Sequence, residues 1–191
     1  MIRLENVSKS FGRHKVLSDL SFEIRDGERV YISGASGTGK TTLIRIISGL
    51  ESCQGKVTVD KKVAVMFQES RLFMHLSALE NVLCVCEKKS EDTISKAKEL
   101  LEKLELSEFE DMPAGELSGG MAQRVALART LISGRSIIIL DEPFSALDKG
   151  MKEKAYSLIL DYCKDERTLI LVSHMQEDAD VLCTRRISVD M

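Results

Sequence analysis

Four short stretches of the chain are almost unbroken in apolar side chains, and each runs into a glycine or a polar residue. Arg29-Val30-Tyr31-Ile32-Ser33 leads to Gly34, and Val63-Ala64-Val65-Met66-Phe67 leads to Gln68. Ile137-Ile138-Ile139-Leu140 leads to Asp141, and Leu169-Ile170-Leu171-Val172-Ser173 leads to His174. Continuous runs of this length, rich in β-branched residues, predict strands buried on both faces. Helical periodicity lies between them, and this alternation predicts an α/β fold around a mainly parallel sheet. Such open sheets bind ligands beyond the carboxyl ends of their strands, so these four strand ends are the place to look for a site.

Residues 1–30 read differently. Met1–Val7 and Val16–Ile24 alternate or carry β-branched residues, with Gly12 and Asp26-Gly27 between and after them, which predicts an antiparallel hairpin region. Farther along, Ile94, Ala97, Leu100, Leu101 and Leu104 fall at helical spacing. Residues 70–116 are expected to form a small helical insertion within one domain spanning 1–191.

Composition narrows the class. The chain has 191 residues, 43% hydrophobic and 30% charged, which suits a packed domain rather than a disordered segment. Its apolar runs are far shorter than the ~20 residues of a membrane-spanning helix. The start, MIRLENVSKSFG, lacks the apolar core of a signal peptide, so a cytosolic location is expected. A net charge of −3 gives no electrostatic reason to expect a nucleic-acid partner. Five cysteines with no CxxC pair fit neither a disulfide framework nor a structural zinc site, and reduced thiols are expected. Glu87–Glu116 carries ten acidic and five basic side chains, read as solvated helix faces.

The first chemical signal is Gly34-Ala35-Ser36-Gly37-Thr38-Gly39-Lys40-Thr41, which matches G-x-x-x-x-G-K-[ST]. It follows a predicted strand and precedes the apolar helical run Leu43-Ile44-Arg45-Ile46-Ile47. Glycines let the backbone turn closely around a phosphate. Successive N–H groups and a helix N-terminus then face the anion. Lys40 adds a point charge near the β- and γ-phosphates, and Thr41 offers a hydroxyl to Mg²⁺. The second signal is Asp141-Glu142, at a strand end. An aspartate there can support Mg²⁺, and the adjacent glutamate can polarise an attacking water.

Leu117-Ser118-Gly119-Gly120-Met121-Ala122-Gln123-Arg124 extends the pattern. It resembles the LSGGQ signature of the ATP-binding-cassette ATPases, with Met121 at the fifth position. Other family segments follow in order. Phe11 resembles the aromatic residue that stacks on adenine, and Gln68 the Q-loop glutamine. Ser145-Ala146-Leu147-Asp148 resembles the D-loop, and His174 the switch histidine. The resemblance covers essentially the whole chain and implies a P-loop NTPase fold. From the residues alone, Ser118 is a good N-cap, and Met121, Val125, Ala128 and Ile132 predict one helical stripe.

The resemblance also implies roles. Gly34, Ala35, Ser36, Gly37, Thr38, Gly39, Lys40, Thr41 and Thr42 would hold the phosphates of ATP. Thr41, Gln68 and Asp141 would attend Mg²⁺, Glu142 would be the base, and His174 would contact the γ-phosphate. In the family two subunits pair head-to-tail. Ser118, Gly119 and Gly120 would then cap the nucleotide held by a second copy or a related ATPase subunit, and Asp148 would act across that dimer. The family's commonest use is to power a transporter from the inner face of the cell membrane, through separate transmembrane permease subunits. Glu69–Phe73, Leu79–Val82 and the LSGGM sequence are similar to the nitrate/sulfonate/taurine-type importer ATPases. The alternative is a soluble or force-transmitting ATPase of the same family. Relatives acting on ribosomes or DNA usually carry paired cassettes, long coiled coils or zinc insertions, none of which is evident here.

Two departures stand out. Only 27 residues separate Lys40 from Gln68, which predicts a trimmed strand hairpin there. The chain also stops soon after His174, so the family's final strand-turn and closing helices are expected to be absent or reduced.

Overall fold

The computed structural model describes residues 1–164 and 166–189. By internal contacts the chain divides into two compact units. One comprises Met1–Val65, Arg135–Asp141 and Cys163–Met191, and the other Met66–Gly134 and Glu142–Tyr162.

The first unit contains the sheets. β1 (Ile2–Phe11) and β2 (His14–Ile24) pair antiparallel, with Ile2 opposite Ile24 and Phe11 opposite His14. The Gly12 turn between them has φ 58, a backbone conformation that favours glycine. The hairpin region predicted for residues 1–30 is therefore present. β3 (Arg29–Ser33) leads into the phosphate-loop sequence and α1 (Lys40–Ile47). β4 (Gln54–Val59) then joins the antiparallel sheet beside β1.

β5 (Val63–Met66), β6 (Ile137–Asp141), β7 (Thr168–Val172) and β8 (Arg185–Ser188) complete the second sheet, in the order β5-β6-β7-β3-β8. β3 pairs in parallel with both β7 and β8, and β6 pairs in parallel with β7. Ile137–Leu140 and Leu169–Val172 are buried throughout, as strands in mid-sheet should be. Each fully buried Ile, Leu or Val side chain contributes about 1.5–3 kcal/mol by leaving water.

Two expectations need correction here. β5 lies at the sheet edge and is only half-buried, because an edge strand lacks a neighbour on one side. β4 and β5 do not form a hairpin. The short Lys40–Gln68 connection sends β4 to the antiparallel sheet and β5 to the parallel one. Near the chain end, the four-residue β8 extends the parallel sheet beyond β3.

The second unit is helical. α2 (Ala78–Leu83) begins in a capping box, with the Ser77 hydroxyl accepting from the Glu80 N–H and the Glu80 carboxylate accepting from the Ser77 N–H. α3 (Glu91–Lys103) buries Ala97 and Leu101, while Ile94 and Leu100 are half-buried. α4 (Gly119–Ile132) packs against both. The single stripe expected on α4 is not what forms. Val125, Ala126, Leu127, Ala128, Thr130 and Leu131 are all buried, while Met121 and Ile132 are half-buried. A helix enclosed on nearly every side has no single apolar face. α5 (Lys149–Cys163) follows β6 and buries Met151, Ala155, Tyr156 and Ile159. Phe144 meets the Tyr156 ring edge-on at 5.0 Å. In the first unit, α6 (Gln176–Leu182) lies between β7 and β8 in the chain.

Candidate functional site: a phosphate loop and a signature helix

Three sequence-predicted residues or segments collect at one edge of the parallel sheet in the first unit. Gly34–Gly39 follows β3, Asp141 ends β6, and His174 lies just beyond β7. Because these strands run parallel, their carboxyl ends share an edge, where ligands of open α/β sheets bind.

The loop is shaped by its glycines. Gly37 has φ 82, and Gly39, the N-cap of α1, has φ 90. A Cβ at Gly39 would sit 2.7 Å from both Leu17 Cδ2 and Val16 Cγ1, so only glycine fits between the loop and β2. Gly34 is held as closely, since a Cβ there would lie 2.6 Å from the Val189 carbonyl oxygen. Thr38 donates its hydroxyl to the Ala35 carbonyl at 3.0 Å. The buried Lys40 ammonium donates to the carbonyls of Gly34 and Ala35, both at 2.8 Å. Its positive charge is thus held inside the loop's curve by backbone oxygens rather than by a carboxylate. An anion entering the loop meets that charge beside a helix N-terminus.

Thr41, on the first turn of α1, donates its hydroxyl to Asp141 Oδ2 at 3.2 Å, across 100 residues of chain. Burial pushes the Asp141 carboxyl above its usual range, while the Thr41 hydroxyl and the positive charge of Lys40 pull it back. A hydroxyl and a carboxylate in contact form a hard-oxygen donor pair of the kind Mg²⁺ prefers, so these residues fit that ion. Thr42, next along α1, is half-buried.

His174 is exposed, but its neighbours are not. The Tyr31 hydroxyl donates to the Ser173 carbonyl at 2.9 Å. The Ser173 hydroxyl donates to the buried Asp178 carboxylate and accepts from the Met175 N–H at 3.1 Å. This buried network fixes the backbone on both sides of His174. Phe11, at the β1–β2 turn, is 50% exposed, with the Lys9 ammonium 5.0 Å from its ring centroid.

The remaining candidates lie in the helical unit. The Ser118 hydroxyl accepts from the Met121 N–H at 3.3 Å, so Ser118 is the N-cap its sequence suggested. Nothing lies within 4 Å of where a Cβ on Gly119 would be. At Gly120, by contrast, a Cβ would come within 2.9 Å of the Ala146 carbonyl oxygen. The signature and D-loop segments therefore approach each other closely within this unit. Asp148 accepts from the Met151 N–H at 2.9 Å and from the Lys152 N–H at 2.9 Å, anchoring the start of α5. Gln68 is exposed just beyond β5. The carbonyls that follow it, of Ser70 and Arg71, are gripped by Arg129 Nη2 and Nη1 at 2.6 and 2.9 Å.

Glu142 is buried and has φ 50, a left-handed conformation costing a non-glycine residue ~1–3 kcal/mol. Gln123, 5% exposed, donates from Nε2 to the Glu142 carbonyl at 2.9 Å. Sequence reasoning missed Gln123 as well as Tyr31, Ser173, Asp178 and Arg129. The one available signal for Gln123 is that it is polar within an otherwise small and apolar helix interior.

Comparison with known proteins identifies a family. Residues 17–145 match the family described as ABC transporter. The chain is 36% identical over 210 residues to the glutamate/aspartate import ATP-binding protein GltL of Escherichia coli K12, covering 100% of this chain and 87% of that protein. It is 38% identical over 198 residues to the sulfate/thiosulfate import ATP-binding protein CysA of Photorhabdus laumondii, covering 93% of this chain and 55% of that one. Among solved structures it resembles the dimeric, post-hydrolysis ATP-binding cassette MJ0796 bound to ADP and Pi. That match has TM-score 0.87 and 32% identity, and covers 95% of this chain and 91% of that chain. The phosphate loop, the signature helix and these similarities together make the chain a member of the ABC transporter family, in which it is an ATP-binding, ATP-hydrolysing domain.

Proposed function

We propose that this chain binds Mg-ATP and hydrolyses it to power solute import through separate membrane-spanning permease subunits. It would work at the cytoplasmic face of the membrane as a head-to-tail pair with a second copy or a related ATPase subunit. The observation that carries the reading is the phosphate loop itself, with Lys40 inside its curve and Thr41 bonded to Asp141 at 3.2 Å. The importer names of GltL and CysA support the direction of transport, and the dimeric cassette supports the pairing. Among the described residues no helix is long and apolar enough to cross a membrane.

In this reading the N–H groups of Gly34–Thr42 and the Lys40 ammonium bind the phosphates. Thr41 and Asp141 would hold Mg²⁺ and Gln68 would attend it, and the ion would supply neutralisation of charge developing on the phosphates. Glu142, one peptide bond beyond Asp141, orients the attacking water and takes up its proton. His174, on its buried support, steadies the water and the γ-phosphate. Phe11 stacks on adenine. Ser118–Gly120 close on the nucleotide of the partner subunit, with Asp148 beside them.

The test is capture of tagged Glu142→Gln protein from mildly solubilised membranes with ATP present. Slowed hydrolysis should hold the closed state, and a multi-spanning membrane protein should come with it. Recovery of ribosomal or DNA-associated partners alone would overturn the transport reading.

A further inference from the structure

Gln123 lies one turn into α4, five residues beyond the Ser118 cap, and is buried with both ends of its amide engaged. Nε2 donates to the Glu142 carbonyl at 2.9 Å and to the Ser145 hydroxyl at 3.0 Å. Oε1 accepts from the Ala146 N–H at 2.9 Å. One side chain of the signature helix thus holds both ends of the Glu142–Ala146 segment. All four residues belong to the helical unit. The held segment begins at a residue in a left-handed conformation, which persists only where its surroundings enforce it. The close approach of Gly120 to the Ala146 carbonyl restricts the same segment from the first turn of α4.

We propose that Gln123 is a positioning residue for hydrolysis, fixing Glu142 and the D-loop to the signature helix of the same subunit. Its amide is engaged by protein groups of the same unit. Its amide sets the Glu142 backbone, and that backbone aims the carboxylate. A glutamine suits the task because it presents two N–H donors and one acceptor in a single plane, matching a carbonyl, a hydroxyl and an N–H. A shift of the segment in one place then displaces the base and the D-loop together. The proposal rests on Glu142 being the base.

The test compares ATP turnover and equilibrium ATP binding for the full chain, Gln123→Glu, Glu142→Gln and the double variant. Gln123→Glu keeps the shape and the acceptor but loses the amide donors. Misplacing a reacting group slightly can cost on the order of 100-fold in rate, so kcat should fall about 10- to 100-fold. KM for ATP should stay within about twofold, because the phosphate loop is untouched, while the thermal midpoint should fall, because a buried carboxylate replaces two satisfied donors. A residue acting through Glu142 adds nothing once Glu142 is gone, so the double variant should match Glu142→Gln within about twofold.

Near-normal kcat in Gln123→Glu overturns the proposal, as do losses that multiply in the double variant. A parallel fall in kcat and ATP affinity would show a merely structural role. Should Gln123→Glu fail to fold, Ser145→Ala at its exposed position removes one partner of the amide and should lower kcat about two- to fivefold. Unchanged turnover there overturns the proposal as well. If Glu142→Gln alone turns over fully, the base assignment has failed. If Glu142→Gln is slow while Gln123→Glu is not, only the role of Gln123 has failed.

Discussion

Lys40 shows how much of the site can be read one residue at a time. Its role follows from charge and spacing within eight consecutive positions, and the structure adds that its ammonium rests on the Gly34 and Ala35 carbonyls. A charge-assisted contact to phosphate contributes ~1.5–3 kcal/mol. Lys40→Ala should therefore weaken ATP binding about 10- to 100-fold while the helical content stays unchanged. Titration of a fluorescent ATP analogue, with circular dichroism as control, measures this, and affinity within twofold of the parent would sink the phosphate-loop assignment. Gln123 shows the opposite case. Its partners lie 19 to 23 residues ahead in the chain, and nothing in its immediate neighbours names them. Tyr31 is hidden in the same way: it reads as one more apolar strand residue until its hydroxyl is found on the Ser173 carbonyl, 142 residues away.

Elements were legible where their signals are local. The four apolar runs became strands, and Ser118 became a cap, because both signals act within a few residues. Pairing was not legible: the short Lys40–Gln68 interval read as a trimmed strand hairpin, yet β4 and β5 join different sheets. The loop from Phe73 to Ser77 is another element held from a distance. Fully buried Asn81, on α2, accepts from the Phe73 N–H at 2.8 Å and donates to the carbonyls of Phe73, Leu76 and Ser77 at 3.0–3.2 Å. Asn81→Ala would strand these groups, at a cost of roughly 2–3 kcal/mol. The thermal midpoint should fall by about 4–12 °C, and an unchanged midpoint in calorimetry would show that the amide is dispensable.

For the complete chain, the decisive behaviour is association. A signature helix start and a phosphate loop in one polypeptide call for a partner if each loop is to be capped by the other subunit's signature. Glu142→Gln protein should migrate as a dimer in sizing experiments with Mg-ATP, because ligand that binds only the paired state shifts the equilibrium by mass action. Chelating the metal should return it to monomer, and a dimer indifferent to chelation would exclude Thr41 and Asp141 from a metal-dependent closure. The chemistry of ATP was written in contiguous residues, because a phosphate is bound by successive backbone N–H groups and the side chains beside them. The α/β class was legible for a similar reason, since strand and helix periodicities are properties of short windows. The placement of β4, the edge position of β5, the presence of β8 and the hold of Gln123 on the Glu142 segment came only with the folded chain. Each depends on which distant segments compete for the same buried surface, and short-range sequence signals do not encode that competition.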